Sequence, residues 1–168
     1  TWLGTDFGQG RHVKTVEKLS NKNQEKIVFT NGVFDILHTG HVDLIRFAKS
    51  LGEKLVVGIN SDESVKRLKG ESRPINSQDD RKRILEALQE VDEVVIFNED
   101  DPRGIRSIIS PDILVKGGEW TAEEVRQRDE IPDETEVKIF PLVKDYSTTG
   151  VLEKIRKIET HEKTNKSD

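Results

Sequence analysis

The 168 residues carry a formal net charge of −5, with 33% apolar and 35% charged residues and no cysteine. That length fits one domain with its own core, while the acidic balance argues against general nucleic-acid binding, which needs a basic stripe. The missing cysteines exclude disulfides, thiolate metal sites and a cysteine nucleophile; no apolar run approaches the ~20 residues of a membrane span, and the expected home is the cytoplasm.

In chain order, residues 1–25 read as an N-terminal extension with one helix around 11–20. IVFT (27–30) is a buried-strand pattern, and Asn31 and Gly32 read as a tight turn after it. HVDLIRFAKSL (41–51) has helical spacing of its apolar residues, with Gly52 as a stop. KLVVGIN (54–60) is a second strand, and Ser61 to Leu68 a short helix capped by Ser61 or Asp62. After the loop KGESRPIN (69–76), Ser77 caps QDDRKRILEALQEV, whose first turn is acidic as the helix dipole prefers. DEVVIF (92–97) is a third strand, Pro102 opens the helix RGIRSIIS, and DILVKG (112–117) is a fourth strand. Residues 121–130 are helical in pattern, EVKIFPL (136–142) is a fifth strand, and Ser147 to Ile158 is the last helix. The charged stretch 159–168 reads as a frayed tail.

Strands alternating with helices at this spacing argue for βαβ units. The expected architecture is α/β: a doubly wound, mostly parallel five-stranded sheet with helices on both faces, spanning residues 26–158. Runs such as LVVGI and VVIF suit strands buried on both sides. Such sheets bind ligands at the carboxyl ends of their strands. That rule directs attention to NGVFDILHTGH, NSD, NEDD, KGGEW and VKDYSTTG.

His38 and His41 flank Gly40 where a helix is expected to begin. Helix N-termini hold anions, and two imidazoles there can donate to phosphate oxygens. The pair also reads as two exposed surface histidines, or as half of a zinc site, for which no third ligand stands out. Asp35 suits either local capping or a substrate hydroxyl. Ser147, Thr148 and Thr149 suit either a phosphate cradle or a simple N-cap. Lys116, with Gly117 and Gly118, ends the fourth strand and can meet phosphate or a base edge. Lys66, Arg67, Lys69 and Arg73 crowd one segment, and Arg81 follows; the run is either a solvated face or a cationic cover for a triphosphate. Neither a Walker P-loop nor GxGxxG occurs. No nucleophile–base pair is evident, and a set of hydrogen-bond donors and cations suits phosphoryl or nucleotidyl transfer.

GVFDILHTGH matches the GxFDxxHxGH pattern of the cytidylyltransferase-like nucleotidyltransferases, and the resemblance covers Lys26 to Ile158. NGVFDILHTGHVDLIRFAKSLG, LVVGINSDESVKRLKGESRPIN, DRKRILEALQEVDEVVIF, PDILVKGGEW and YSTTGVLEKI resemble the adenylyltransferases that act on D-glycero-D-manno-heptose 1-phosphate, alone or fused behind a kinase. The resemblance implies an ATP-dependent adenylyltransferase working with Mg²⁺, commonly a homodimer. It implies that His38 and His41 bind the phosphates, with Lys69 and Arg81 neutralising the triphosphate. Asn31, Gly32, Val33, Phe34, Gly40, Lys116, Gly117 and Ser147 to Thr149 would line the nucleotide. Asp35, Asn60 and Asp62 would face the sugar phosphate, with the loop around Trp120 nearby. VKDYSTT replaces the RTEGISTT of the enzymes that use CTP on glycerol 3-phosphate, which favours the heptose branch over that alternative. Tyr146 and Gly150 depart from the small residue and the Asn familiar in heptose enzymes, beside the presumed base pocket. A non-catalytic nucleotide-binding module is the alternative of another class.

Overall fold

The computed structural model describes residues 25–141 and 148–164. In chain order it runs β1 (Ile27–Gly32), α1 (Thr39–Lys49), β2 (Lys54–Asn60), α2 (Asp62–Lys69), α3 (Gln78–Glu86), β3 (Glu93–Phe97), α4 (Arg103–Ile109), β4 (Ile113–Gly117), α5 (Ala122–Arg128), β5 (Glu136–Phe140) and α6 (Thr148–Thr164). The five strands form one sheet in the order β3-β2-β1-β4-β5, and every pairing is parallel. The expected doubly wound fold is therefore present. The suggested helix around 11–20 and the start of the last helix at Ser147 lie outside the described residues.

Alternation along the strands divides the core in two. Ile27, Phe29, Val56 and Leu114 pack with Ile105 and Ile109 of α4 and Val125 of α5. Val28, Leu55, Val57 and Val115 pack on the other face with Ile45 and Ala48 of α1 and Leu85 of α3. Gly58 in β2 leaves room for aromatic neighbours, since a Cβ there would come within 2.8 Å of the Phe29 ring. Ser61 caps α2 by accepting from the Ser64 amide, and Ser77 caps α3 by accepting from the Asp80 amide.

Several boundaries differ from the sequence reading. Asn31 and Gly32 are not a turn: they close β1, in register with Gly58 and Ile59. The chain turns after them, where Phe34 takes a left-handed φ of 49°. Helix α1, by contrast, begins at Thr39, next to the start expected near Gly40 between the two histidines. Helix α3 ends at Glu86, far short of Val91. Beyond it the Ala87 and Leu88 amides donate to carbonyls three residues back, and the tightened turns lead to Asp92, whose amide donates to Leu55 O at the start of β2. Helix α6 continues past Ile158 to Thr164, into the stretch read as tail.

Candidate active site

The strand order fixes where a ligand can sit. From β1 the chain winds outward through β2 and β3, then returns to start β4 and β5 on the other side. The crevice between β1 and β4 is the point where the winding reverses, and its carboxyl edge is the natural ligand site. A side-chain hydrogen bond spans that edge: Lys116 Nζ on β4 donates to Asn31 Oδ1 on β1 at 2.7 Å.

The segment from Val33 to His41 is the hub of this edge. The rings of His38 and His41 stack with centroids 3.7 Å apart and 21° between planes. Phe34 lies against His41 at 5.1 Å. His38 is the N-cap of α1 in extended conformation, and no side chain caps that helix, unlike α2, α3 and α5. The end of α1 thus keeps amides and positive potential for an anion. Burial lowers the pKa of both histidines; His41, pressed further by the charge of His38, falls to about 4. Both rings are therefore neutral near pH 7. The Nδ1 of His41 is buried and has no hydrogen-bond partner among the described residues. A buried polar atom without a protein partner at a strand's carboxyl edge is one that a bound ligand could satisfy.

Other residues that the sequence singles out hold the hub in place. Asp35 is buried; its carboxylate accepts from the amides of Ile75 and Asn76 and from Arg73 Nε at 2.7 Å. Burial pushes its pKa up, but these donors outweigh burial and keep it below the usual carboxylate range. Asn76 Nδ2 donates back to Asp35 O. Arg81 is 1% exposed, and its guanidinium donates to Asn76 O, Val33 O and Asp62 Oδ1. Asn60 is buried and donates to Ser64 Oγ. The cationic segment is largely committed as well: Arg67 pairs with Asp100 at 2.8 Å and Arg73 with Asp35. Lys69 stands exposed at the end of α2. Asp62 also lines a cleft of about 510 Å³ with Ser61, Ser77, Gln78 and Asn98.

On the β4 side, Lys116 is mostly buried and faces Asp129 at 3.6 Å. Burial lowers its pKa, and Asp129 opposes that. Thr148 Oγ1 donates to Ile36 O at 3.4 Å, which brings the start of α6 to the hub; Thr149 is exposed, and Ser147 lies outside the described residues. The fold thus gathers His38, His41, Asn31, Lys116 and Thr148 at one edge. Sequence reasoning missed Asn76, Arg128 and Asp129, which follow no strand directly. Arg-Asp at the end of an otherwise ordinary helix carries no distinguishing pattern.

The cytidylyltransferase-like family matches residues 29–157. The bifunctional protein HldE of Campylobacter concisus is 47% identical over 167 residues, 96% of this chain and 35% of that protein. HldE of Nitratiruptor is 49% identical over 144 residues, 86% of this chain and 30% of its own. The chain thus spans about a third of the length of these relatives. A lipopolysaccharide core biosynthesis protein from Thermoplasma volcanium superposes with a TM-score of 0.59 at 30% identity, covering 73% of this chain and 99% of that one. With the family's span laid over the histidine pair, the β1–β4 crevice and the start of α6, the chain belongs to the cytidylyltransferase-like nucleotidyltransferases.

Proposed function

We propose that this chain transfers the adenylyl group of ATP to D-glycero-D-manno-heptose 1-phosphate, giving ADP-heptose and pyrophosphate. The observation that carries the reading is the stacked, neutral His38–His41 pair on the uncapped N-terminus of α1. The resemblance of its motifs to heptose 1-phosphate adenylyltransferases, with the HldE similarity over most of the chain, supports the choice of substrate. The relatives' length and the word bifunctional in their name fit a kinase joined upstream. The proposal places the enzyme in the cytoplasm as a homodimer; among the described residues no helix is long and apolar enough to cross a membrane.

An oxygen of the sugar phosphate attacks the α-phosphorus in line. A new P–O bond forms there while the bond to the bridging oxygen breaks, and pyrophosphate leaves with the electron pair. No residue need become covalently attached. His38, His41 and the free amides of α1 stabilise the charge that grows on the α-phosphate, an arrangement that costs no reorganisation during reaction. Lys116 and the Thr148–Thr149 helix start hold the nucleotide, and Lys69 meets the outer phosphates. Arg81 and Asp35 act one step removed, fixing Val33, Asp62 and the 73–76 loop around the site. Mg²⁺ bound to the triphosphate supplies further charge neutralisation. Among the described residues no group of three or more His, Asp or Glu is placed to hold a metal; the imidazole, ammonium and amide groups of the site suit the phosphate oxygens rather than the ion.

The test is pyrophosphate release in a grid of four nucleoside triphosphates against heptose 1-phosphate, other sugar 1-phosphates and glycerol 3-phosphate. ATP with the heptose phosphate should turn over fastest. Preference for CTP with glycerol 3-phosphate would move the chain to the other branch. Nucleotide binding without release of pyrophosphate would make it a binding module.

A further inference from the structure

Lys116 is held from two sides. Asn31 accepts its hydrogen bond, and Asp129 faces it at 3.6 Å, an electrostatic contact too long for a hydrogen bond. Both charged side chains are only 15% exposed, so their attraction is weakly screened. Asp129 cannot swing away to neutralise the lysine fully. Arg128 grips it with two bonds, Nε to Oδ1 at 2.6 Å and Nη2 to Oδ2 at 3.1 Å. Its backbone is fixed too, because the buried Arg106 donates to the carbonyls of Asp129 and Glu130 at 2.9 and 3.2 Å. Arg128 in turn lies 4.7 Å over the Trp120 ring, a cation–π contact, and Trp120 packs on Gly118 just beyond β4. One carboxylate thus serves two cations, and the trio keeps a net positive charge at the β1–β4 crevice.

We propose that Asp129 is a positioning residue for nucleotide binding: its carboxylate, clamped by Arg128, holds the Lys116 ammonium at the junction of β1 and β4, where it meets a nucleoside triphosphate. A free lysine has a long flexible stem and loses rotamer freedom when it is ordered. Asp129 and Asn31 order it before the ligand arrives, which raises affinity without adding a contact. This inference rests on Lys116 being a nucleotide contact, as in the proposed function.

The experiment compares the unaltered chain, Asp129→Asn, Asp129→Glu, Lys116→Ala and the double variant Asp129→Asn with Lys116→Ala. It measures ATP affinity by calorimetry, KM for ATP and kcat in the pyrophosphate assay, and thermal melting. Asp129→Asn should weaken ATP binding and raise KM roughly tenfold, as for coupled residues in contact, with kcat moved far less. Asp129→Glu should recover part of the affinity. In the Lys116→Ala background Asp129→Asn should add almost nothing. A merely structural Asp129 would lower melting and the folded fraction, reducing kcat while leaving KM in place; that pattern, or penalties that multiply in the double variant, overturns the proposal. If the unaltered chain binds ATP and releases no pyrophosphate, the catalytic reading fails while the affinity comparison still decides this one. If it binds no nucleoside triphosphate, both fall.

Discussion

His41 sits with a pKa lowered from 6.5 to about 4, by burial first and by the charge of His38 second. The consequence for stability has a definite sign. As pH falls below 6.5 the unfolded chain takes up a proton on this histidine that the folded chain refuses. The unfolded state then binds more protons, so stability falls with pH until about 4, where the folded form also protonates. The shift corresponds to about 3 kcal/mol over that window. Urea unfolding followed from pH 7 to pH 4 should show the decline, and His41→Gln should flatten it; identical slopes would mean that His41 titrates normally. Asp35 acts in the same direction in a lower window. Its pKa is held below 3.8, so its contribution is present above that value and is lost only as pH falls through the lowered one. Asp35→Asn leaves Arg73 without its charge partner and loosens the 73–76 loop. It should cost on the order of 3 kcal/mol in urea unfolding at neutral pH, as for a broken buried ion pair; a loss near zero would show that the loop holds without it. In the sequence Asp35 has a functional look, three residues after Gly32 and just ahead of His38, Gly40 and His41. That its partners come from residues 73 to 76 is invisible there, because the contact joins segments about 40 apart.

Among elements, the turn between β4 and α5 is tightly constrained. Gly118 has φ of 142°, and a Cβ on it would lie 2.6 Å from the Trp120 ring. Gly118→Ala should displace Trp120 from Arg128 and destabilise the chain by roughly 1–3 kcal/mol, through a strained backbone added to the clash. Quenched-fluorescence titration of the tryptophan region together with thermal melting checks it; unchanged melting would contradict the constraint. The caps Ser61 and Ser77 and the five strands were legible because each is a local pattern: a hydroxyl before an acidic turn, or an apolar run of strand length. The early end of α3 was not, since its apolar spacing continues to Val91 while the chain must already turn toward β3. The sequence Asn-Gly suggests a turn on propensity, yet pairing with β2 keeps both residues in β1.

Across the whole molecule, a parallel sheet is readable from alternation, but the order of its strands is not. Only the order puts the reversal between β1 and β4 and so brings Asn31, Lys116, His38 and His41 to one crevice. Asp129 escaped for a related reason. A crossover helix is assumed to carry the chain to the far edge of the sheet. Helix α5 has seven residues and rises only about 10 Å, so the residue after it still faces Lys116. The described site contains donors and cations and no evident nucleophile, which makes charge stabilisation by the histidine pair the central claim. It is tested most directly by kcat for pyrophosphate release from ATP and heptose 1-phosphate in His41→Ala beside the unaltered chain, both shown folded by circular dichroism. The account predicts a fall of at least about 100-fold, as when one preorganised donor to a transition state is removed; turnover within a few-fold of the unaltered chain would contradict it.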